Sequence, residues 1–166
     1  MSTAPRLRVL LLTPIAPAPT GNGLAMRSWL YLRGATAVAD VQLVVVPVWG
    51  GGGLPTIDLP GLRAVMLPPG AGDARAVARG WLADPEWRER YARIEPVYPP
   101  ALAVPPSVLA DVLAALDGQR PDVVVAVRLP MVPLAVSVAE HFGAALVVDL
   151  DDDDEQFIRE SGRPDL

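Results

Sequence analysis

Short apolar runs alternate with amphipathic segments along most of this chain. Five runs are largely apolar at consecutive positions and rich in Val and Leu, which predicts strands buried on both faces of a sheet. These strands are expected at residues 7–12, 41–48, 62–67, 122–127 and 145–150. Helical spacing of apolar residues, together with helix-start signals such as Asp84-Pro85-Glu86, predicts the helices between them. The helices are expected at residues 24–33, 73–83, 84–94, 107–116 and 130–142.

This order of strands and helices predicts an α/β fold. Strands that alternate with helices form a parallel sheet with helices on both faces, linked by right-handed crossovers. We therefore expect a Rossmann-like, doubly wound parallel sheet. Residues 1–166 are assigned to a single domain, because the length suits one domain and no sequence period repeats.

The composition supports a sizeable core and excludes several kinds of binding and catalytic site. Of the 166 residues 51% are hydrophobic and 20% are charged, while 14 glycines and 19 prolines indicate extensive loops. The net charge is −5 and no basic run occurs, which argues against a nucleic-acid partner. Since the chain has no Cys and a single His, it offers neither a thiolate nor a His-based metal cluster. No apolar run approaches the roughly 18 residues of a membrane span.

Loops at the carboxyl ends of the predicted strands carry the candidate binding residues, since ligands of open parallel sheets bind at that edge. The loop after the first strand ends in Gly21-Asn22-Gly23 at a helix start, where glycines and the helix N-terminus favour an anion. Arg27 lies one turn into that helix and is expected to reach the same anion. Arg128 follows the fourth strand and suits an anion or a hydroxylated ligand. The plainer interpretation of the glycine loop is a flexible turn, and that of Arg128 is a surface arginine.

The loop after the fifth strand is acidic over residues 149–155. Asp149 and Asp151 are the candidate catalytic carboxylates, because carboxylates at a strand end bind a divalent metal or sugar hydroxyl groups. The run also imitates the start of the haloacid dehalogenase phosphatases, in which one Asp is the nucleophile and another the general acid. That family has Thr or Val where this chain has Asp153. Residues 153–155 are expected to form a solvated helix start rather than a ligand set.

Six segments agree in order and spacing with one known family. They are Arg8-Val9-Leu10-Leu11-Leu12-Thr13-Pro14, Gly21-Asn22-Gly23, a helix with Arg27 and Leu32, Val41-Gln42-Leu43-Val44-Val45, Pro121-Asp122-Val123-Val124-Val125 and Val147-Val148-Asp149-Leu150-Asp151-Asp152. In this arrangement the chain resembles the N-terminal half of a glycosyltransferase of family 4, with the GT-B architecture. The likeness extends over nearly the whole chain, and its ending resembles a subgroup linked to bacterial polysaccharide synthesis.

The resemblance implies a retaining transfer of sugar from a nucleotide-sugar to a glycan, lipid or small-molecule acceptor, without a bound metal or other cofactor. Such enzymes have two Rossmann-like domains, the first for the acceptor and the second for the donor. By resemblance, Gly21-Asn22-Gly23 and Arg27 face the donor phosphates and the acceptor, whereas Arg128 and Asp149 line the acceptor side. The donor domain has no counterpart in residues 1–166, and the acidic tail at residues 151–166 leads toward it. The chain alone, a truncated product or half of a split enzyme, is therefore expected to be inactive.

The same resemblance implies a cytoplasmic protein that needs a C-terminal glycosyltransferase domain or a partner chain, and it leaves peripheral association with the inner membrane face open. A membrane-facing surface is one interpretation of three aromatic residues with arginines around them, Trp81, Trp87 and Tyr91. Core packing is the plainer interpretation of these residues.

Two other functions of the chain stay open. A stand-alone Rossmann-like module would bind a partner or a phosphorylated ligand, or form a homodimer through an exposed sheet edge. A magnesium-dependent phosphatase would use Asp149 and Asp151.

Overall fold

The computed structural model of the chain describes residues 6–47, 54, 56–67, 108–128 and 131–150. Five strands lie in this part of the chain: β1 (Leu7–Thr13), β2 (Ala39–Val45), β3 (Leu62–Met66), β4 (Val123–Val127) and β5 (Ala145–Asp149). Three helices accompany them: α1 (Gly23–Val38), α2 (Val108–Leu116) and α3 (Val132–Phe142). The helices predicted over residues 73–94, with their aromatic residues Trp81, Trp87 and Tyr91, and the acidic tail at 151–166 lie outside the described residues.

The five strands are parallel and form one sheet in the order β3-β2-β1-β4-β5. β1 is central, and its Leu11 pairs with Leu43 of β2 and with Val125 of β4. The order reverses at β1, since β2 and β3 lie on one side of it and β4 and β5 on the other. This reversal is the topological switch point of a doubly wound sheet. The predicted Rossmann-like α/β fold is confirmed.

Helices cover both faces of the sheet, and alternate residues of β1 point to opposite sides. Leu11 shares a buried cluster with Leu32 of α1, whereas Leu10 and Leu12 share one with residues of α2 and α3. These three residues of β1 are at most 1% exposed, as expected for a central parallel strand. At the edge, Val147 of β5 remains 48% exposed. Burial therefore falls from the centre of the sheet toward β5.

Helix α1 is longer than the sequence pattern predicted. Apolar spacing placed its end near residue 33, but the helix continues through Gly34 to Val38. The Thr36 hydroxyl donates to a carbonyl one turn earlier at 2.9 Å, and the N–H of Ala39 donates to a carbonyl of the last turn. The guanidinium of Arg6 donates to the carbonyl of Thr36 at 3.0 Å, which satisfies one of the carbonyl groups that a helix end leaves unpaired, and β2 begins at once. Although α1 is the longest described helix, none of the described helices has the length and apolar character needed to cross a bilayer.

Two arginines, Arg8 and Arg120, bond neighbouring segments together at the end of the sheet where the strands begin. Asp122, which precedes β4, accepts the N–H of Arg8 at 2.8 Å and its guanidinium at 3.3 Å. Hydrogen bonds from the backbone and side chain of Arg8 hold the pKa of Asp122 below its ordinary range. Arg120 donates twice to the carbonyl oxygen of Phe142, at the end of α3. The Asp of the Pro-Asp-Val segment therefore has a structural role, at the opposite end of the strands from the ligand-binding edge.

Two glycines of the described helices differ in backbone conformation, which predicts opposite effects of alanine. Gly143 follows α3 with φ +63°, a left-handed conformation that costs an L residue about 1 kcal/mol. Gly34 lies within α1 with open space where a Cβ would point, so alanine there contributes about 0.5–1 kcal/mol of helix propensity. In urea denaturation, Gly143→Ala is expected to lower the free energy of unfolding and Gly34→Ala to raise it. Effects of the same sign would contradict the two conformations.

Candidate functional site

The carboxyl ends of β1, β4 and β5 bring three polar residues to one edge of the sheet. Thr13 ends β1, Arg128 follows β4, and Asp149 ends β5. Each of them is at most 7% exposed, although such side chains are mostly exposed in proteins. Helix α1 follows the loop after β1 and contributes Arg27 and Tyr31. These five residues are called the switch-point site below.

A buried carboxylate is at the centre of the switch-point site. Arg27 donates from Nε to Oδ2 of Asp149 at 2.8 Å and from Nη2 to Oδ1 at 2.6 Å. The Tyr31 hydroxyl donates to Oδ1 at 2.8 Å, and Cζ of Arg27 lies 6.0 Å from the centre of the Tyr31 ring. The side chain of Asp149 is 4% exposed, whereas that of Arg27 is 35% exposed. The contact is a side-on bidentate ion pair, the stronger form of charge-assisted hydrogen bonding.

The position of two residues on α1 explains why they share one partner. Arg27 and Tyr31 are four residues apart, and residues at this spacing lie on the same side of a helix. Both side chains therefore reach Asp149.

A second contact joins α1 to the sheet. Ser28 is fully buried, and its hydroxyl oxygen lies 3.0 Å from that of Thr13. Since Thr13 donates its own proton to the carbonyl of Ile15, Ser28 is the donor of this pair. The helix is therefore bonded to β1 through Thr13 and to β5 through Asp149.

The surroundings of Asp149 favour its ionised form. Burial by itself would raise the pKa of this carboxyl, because a buried charge loses hydration. Hydrogen bonds from Arg27 and Tyr31 and the charges of Arg27 and Arg128 outweigh burial and hold the pKa of Asp149 below its ordinary range. The hydrogen bond to Asp149 in turn raises the pKa of Tyr31. At neutral pH the carboxylate is therefore charged and the phenol is neutral.

Acid is expected to weaken the fold through Asp149. A carboxylate whose pKa is lowered by folding stabilises the protein fully above its unfolded pKa of about 4, and this contribution is lost as the pH falls through the folded pKa. The difference in unfolding free energy between the wild type and Asp149→Asn is therefore expected to be constant near neutral pH and to shrink below about pH 5. Urea denaturation over a pH series measures it. Both proteins retain Asp122, so its titration cancels, and a difference that grows in acid would contradict the ion pair.

Arg128 occupies a left-handed backbone conformation, with φ +75°. A non-glycine residue adopts this conformation at a cost of about 1–2 kcal/mol. Its N–H donates to the carbonyl of Asp149 at 3.1 Å, and its carbonyl accepts the N–H of Met131 at 3.1 Å. Arg128 therefore combines a buried cationic side chain with a backbone conformation that suits glycine.

Two substitutions separate the backbone conformation of Arg128 from its side chain. Arg128→Ala and Arg128→Gly remove the same guanidinium, but glycine alone adopts a positive φ without cost. The glycine variant is therefore expected to be more stable than the alanine variant by about 1 kcal/mol. Denaturation of the two proteins under identical conditions measures this difference. Equal stability would show that the left-handed conformation of Arg128 is not retained in the variants.

The predicted glycine segment forms the start of α1. Gly21 has φ +104°, a conformation that glycine adopts at little steric cost. Asn22 is the N-cap residue, and its Oδ1 accepts the N–H of Leu24 at 2.8 Å. Gly23 is the first residue of the helix. The segment begins a helix as predicted, and its role in anion binding stays a prediction.

The structure brings three of the predicted site residues into one cluster: Arg27, Arg128 and Asp149. Arg27, which was expected to reach an anion, is paired with Asp149. Asp151 lies outside the described residues, so its role stays a prediction. Tyr31 was not predicted, and its spacing from Arg27 was the available signal. Within the described ranges, no three His, Asp or Glu side chains group as metal ligands.

Neither a protein-family model nor a curated protein matches this chain. The fold alone does not define an activity, because Rossmann-like sheets support many functions. The ordered sequence motifs and the switch-point site therefore carry the functional proposal.

Proposed function

We propose that this chain is the acceptor-side domain of a retaining glycosyltransferase of family 4, one half of a GT-B architecture. The reaction is the transfer of a sugar from a nucleotide-sugar to a glycan, lipid or small-molecule acceptor, in bacterial polysaccharide synthesis. The domain works with a donor-binding domain, in a longer product or in a partner chain, at the cytoplasmic face of the membrane. Alone it is catalytically incomplete.

The observation that carries the proposal is the position of the switch-point site. Ligands of doubly wound sheets bind beyond the carboxyl ends of the strands, beside the switch point. Arg27, Arg128 and Asp149 cluster at this edge. Two of the segments that resemble family 4 include residues of this edge, Thr13 at the end of β1 and Asp149 at the end of β5. Polar residues that are buried at the ligand-binding edge favour a binding role over a purely structural one.

The residues at this edge suit a phosphorylated donor and a hydroxylated acceptor. N–H groups in the first turn of α1, which begins at Gly23, carry partial positive charge and attract the donor phosphates. Arg128 adds a buried cation on the acceptor side, which suits an anionic or hydroxylated acceptor. The pair of Arg27 and Asp149 forms a charged, hydrogen-bonding wall on the acceptor side. The donor-binding domain supplies the remaining contacts.

A transfer assay on the complete gene product tests the proposal, once the coding DNA on both sides of residues 1–166 has been sequenced. UDP-, GDP- and ADP-sugars are offered with lipid and glycan acceptors, and NMR of the product reads the anomeric configuration. We expect transfer with retention, and none by residues 1–166 alone. Arg128→Ala is expected to lower kcat/KM about 100-fold, because the acceptor loses a group that positions it. The control Arg33→Ala removes an exposed charge from α1 and is expected to leave kcat/KM unchanged.

Two outcomes would overturn this proposal. Rapid sugar transfer by residues 1–166 without a partner would make the chain a complete enzyme. Hydrolysis of a phosphate ester by the complete product, lost in Asp149→Asn and without any sugar transfer, would assign the phosphatase chemistry of the acidic run instead.

A further inference from the structure

One carboxylate joins two parts of the sheet across the switch point. Helix α1 leads from β1 to β2 and packs on that side, whereas Asp149 ends β5, two positions from β1 on the other side. Arg27 and Tyr31 lie on successive turns of α1, and both donate to Asp149. The first half of α1 is therefore hydrogen-bonded to β5, the outermost strand on the other side of β1.

The carboxylate of Asp149 is occupied as an acceptor. Oδ2 accepts Nε of Arg27, and Oδ1 accepts both Nη2 of Arg27 and the Tyr31 hydroxyl, with all three distances between 2.6 and 2.8 Å. The side chain is 4% exposed. A nucleophile or a general base needs a lone pair that reaches the substrate. Three of the about four lone pairs of this carboxylate are directed at α1, and the side chain is buried, so we infer that Asp149 acts on a ligand through α1.

We propose that Asp149 and Tyr31 are positioning residues, which act on the ligand through Arg27 and α1. They hold the guanidinium side-on and so fix the first two turns of α1 relative to β4 and β5. The N-terminus of α1 then presents to a phosphate, in one orientation, the first-turn N–H groups other than that of Leu24, which Asn22 caps. The inference rests on the proposed function in taking a phosphate as the ligand, but it concerns this chain alone and needs no sugar transfer.

The test uses the chain of residues 1–166 and inorganic pyrophosphate as the probe. Asp149→Asn keeps the shape of the side chain and removes its charge, and Tyr31→Phe removes the hydroxyl alone. Asp122→Asn is the matched control, because it neutralises another Arg-paired carboxylate at the opposite end of the strands. Calorimetry measures the pyrophosphate affinity. NMR follows the Nε–H signal of Arg27 and the amide signals of residues 22–24, and shows that each variant is folded.

We expect Asp149→Asn to weaken pyrophosphate binding about tenfold and Tyr31→Phe about threefold, as for other groups that orient a binding residue. Both variants are expected to shift the Arg27 signal and the amide signals of residues 22–24. Asp122→Asn is expected to leave the affinity and these signals unchanged. If Asp149→Asn unfolds the chain, the pyrophosphate affinity and the NMR signals of Tyr31→Phe test the positioning role instead.

Several results would overturn the positioning role. A wild-type chain that does not bind pyrophosphate is one, and an unchanged affinity in the site variants is another. A higher affinity in Asp149→Asn would make Asp149 a competitor of the ligand for Arg27. Weaker binding with unshifted signals for Arg27 and residues 22–24 would mean that Asp149 contacts the ligand directly. Absence of sugar transfer by the complete product, with the expected pyrophosphate results intact, would overturn the proposed function alone.

Discussion

Replacing Asp149 with alanine is expected to lower the free energy of unfolding by about 3 kcal/mol. The substitution removes the acceptor of three hydrogen bonds and the counter-charge that Arg27 binds side-on. Breaking a charge-assisted contact at a buried carboxylate costs more than breaking an exposed ion pair, which contributes at most about 1 kcal/mol. Urea denaturation measures the loss as a lower midpoint with an unchanged slope.

Two further variants show whether the ion pair is the cause of this loss. Asp122→Ala removes a carboxylate whose side chain is 40% exposed, and it is expected to destabilise the protein much less. A double-mutant cycle that combines Asp149→Ala with Arg27→Met isolates the coupling energy of the two side chains, expected at about 2 kcal/mol. Strictly additive effects of the two substitutions would contradict a direct pair.

The strands could be predicted from the sequence better than the ends of the helices. Consecutive leucines at 10–12 mark a central parallel strand, because such a strand is buried on both faces. The predicted end of α1 was wrong, since no residue of the helix beyond Leu32 is fully buried and the apolar spacing stops there. Hydrogen bonds from Arg6 and Ala39 hold the last turn of α1 instead, and nothing in the apolar pattern signals them.

The place of the candidate site could be predicted from the sequence, but its internal pairing could not. Arg128 and Asp149 stood out because loops after parallel strands meet at one edge of the sheet. The partner of Asp149 depends on tertiary distance, since Arg27 lies 122 residues away along the chain. Tyr31 was missed for the same reason. The positive φ of Arg128 follows from the bonds that hold its backbone to Asp149 and Met131, and no local motif requires it.

Leu32→Ala is expected to lower the free energy of unfolding by about 3 kcal/mol and to loosen the switch-point site. Leu32 is 0% exposed and shares a buried cluster with Leu11 and Leu43 between α1 and the sheet. Alanine removes this apolar contact and leaves a cavity that the surroundings fill only in part. Tyr31 and Arg27 lie close to Leu32 along α1. A helix that is held less firmly against the sheet therefore weakens the hydrogen bonds from both residues to Asp149.

Leu30→Ala is the matched control for this prediction, because it removes the same atoms from the same helix at a position that is 70% exposed. Its expected effect on the free energy of unfolding is within about 0.5 kcal/mol. Denaturation measures stability, and hydrogen exchange of the amides of residues 27–31 measures local opening of α1. We expect faster exchange in Leu32→Ala and wild-type exchange in Leu30→Ala. An equal loss of stability in both variants would mean that the outer side of α1 is covered in solution, which its exposure in the structure contradicts.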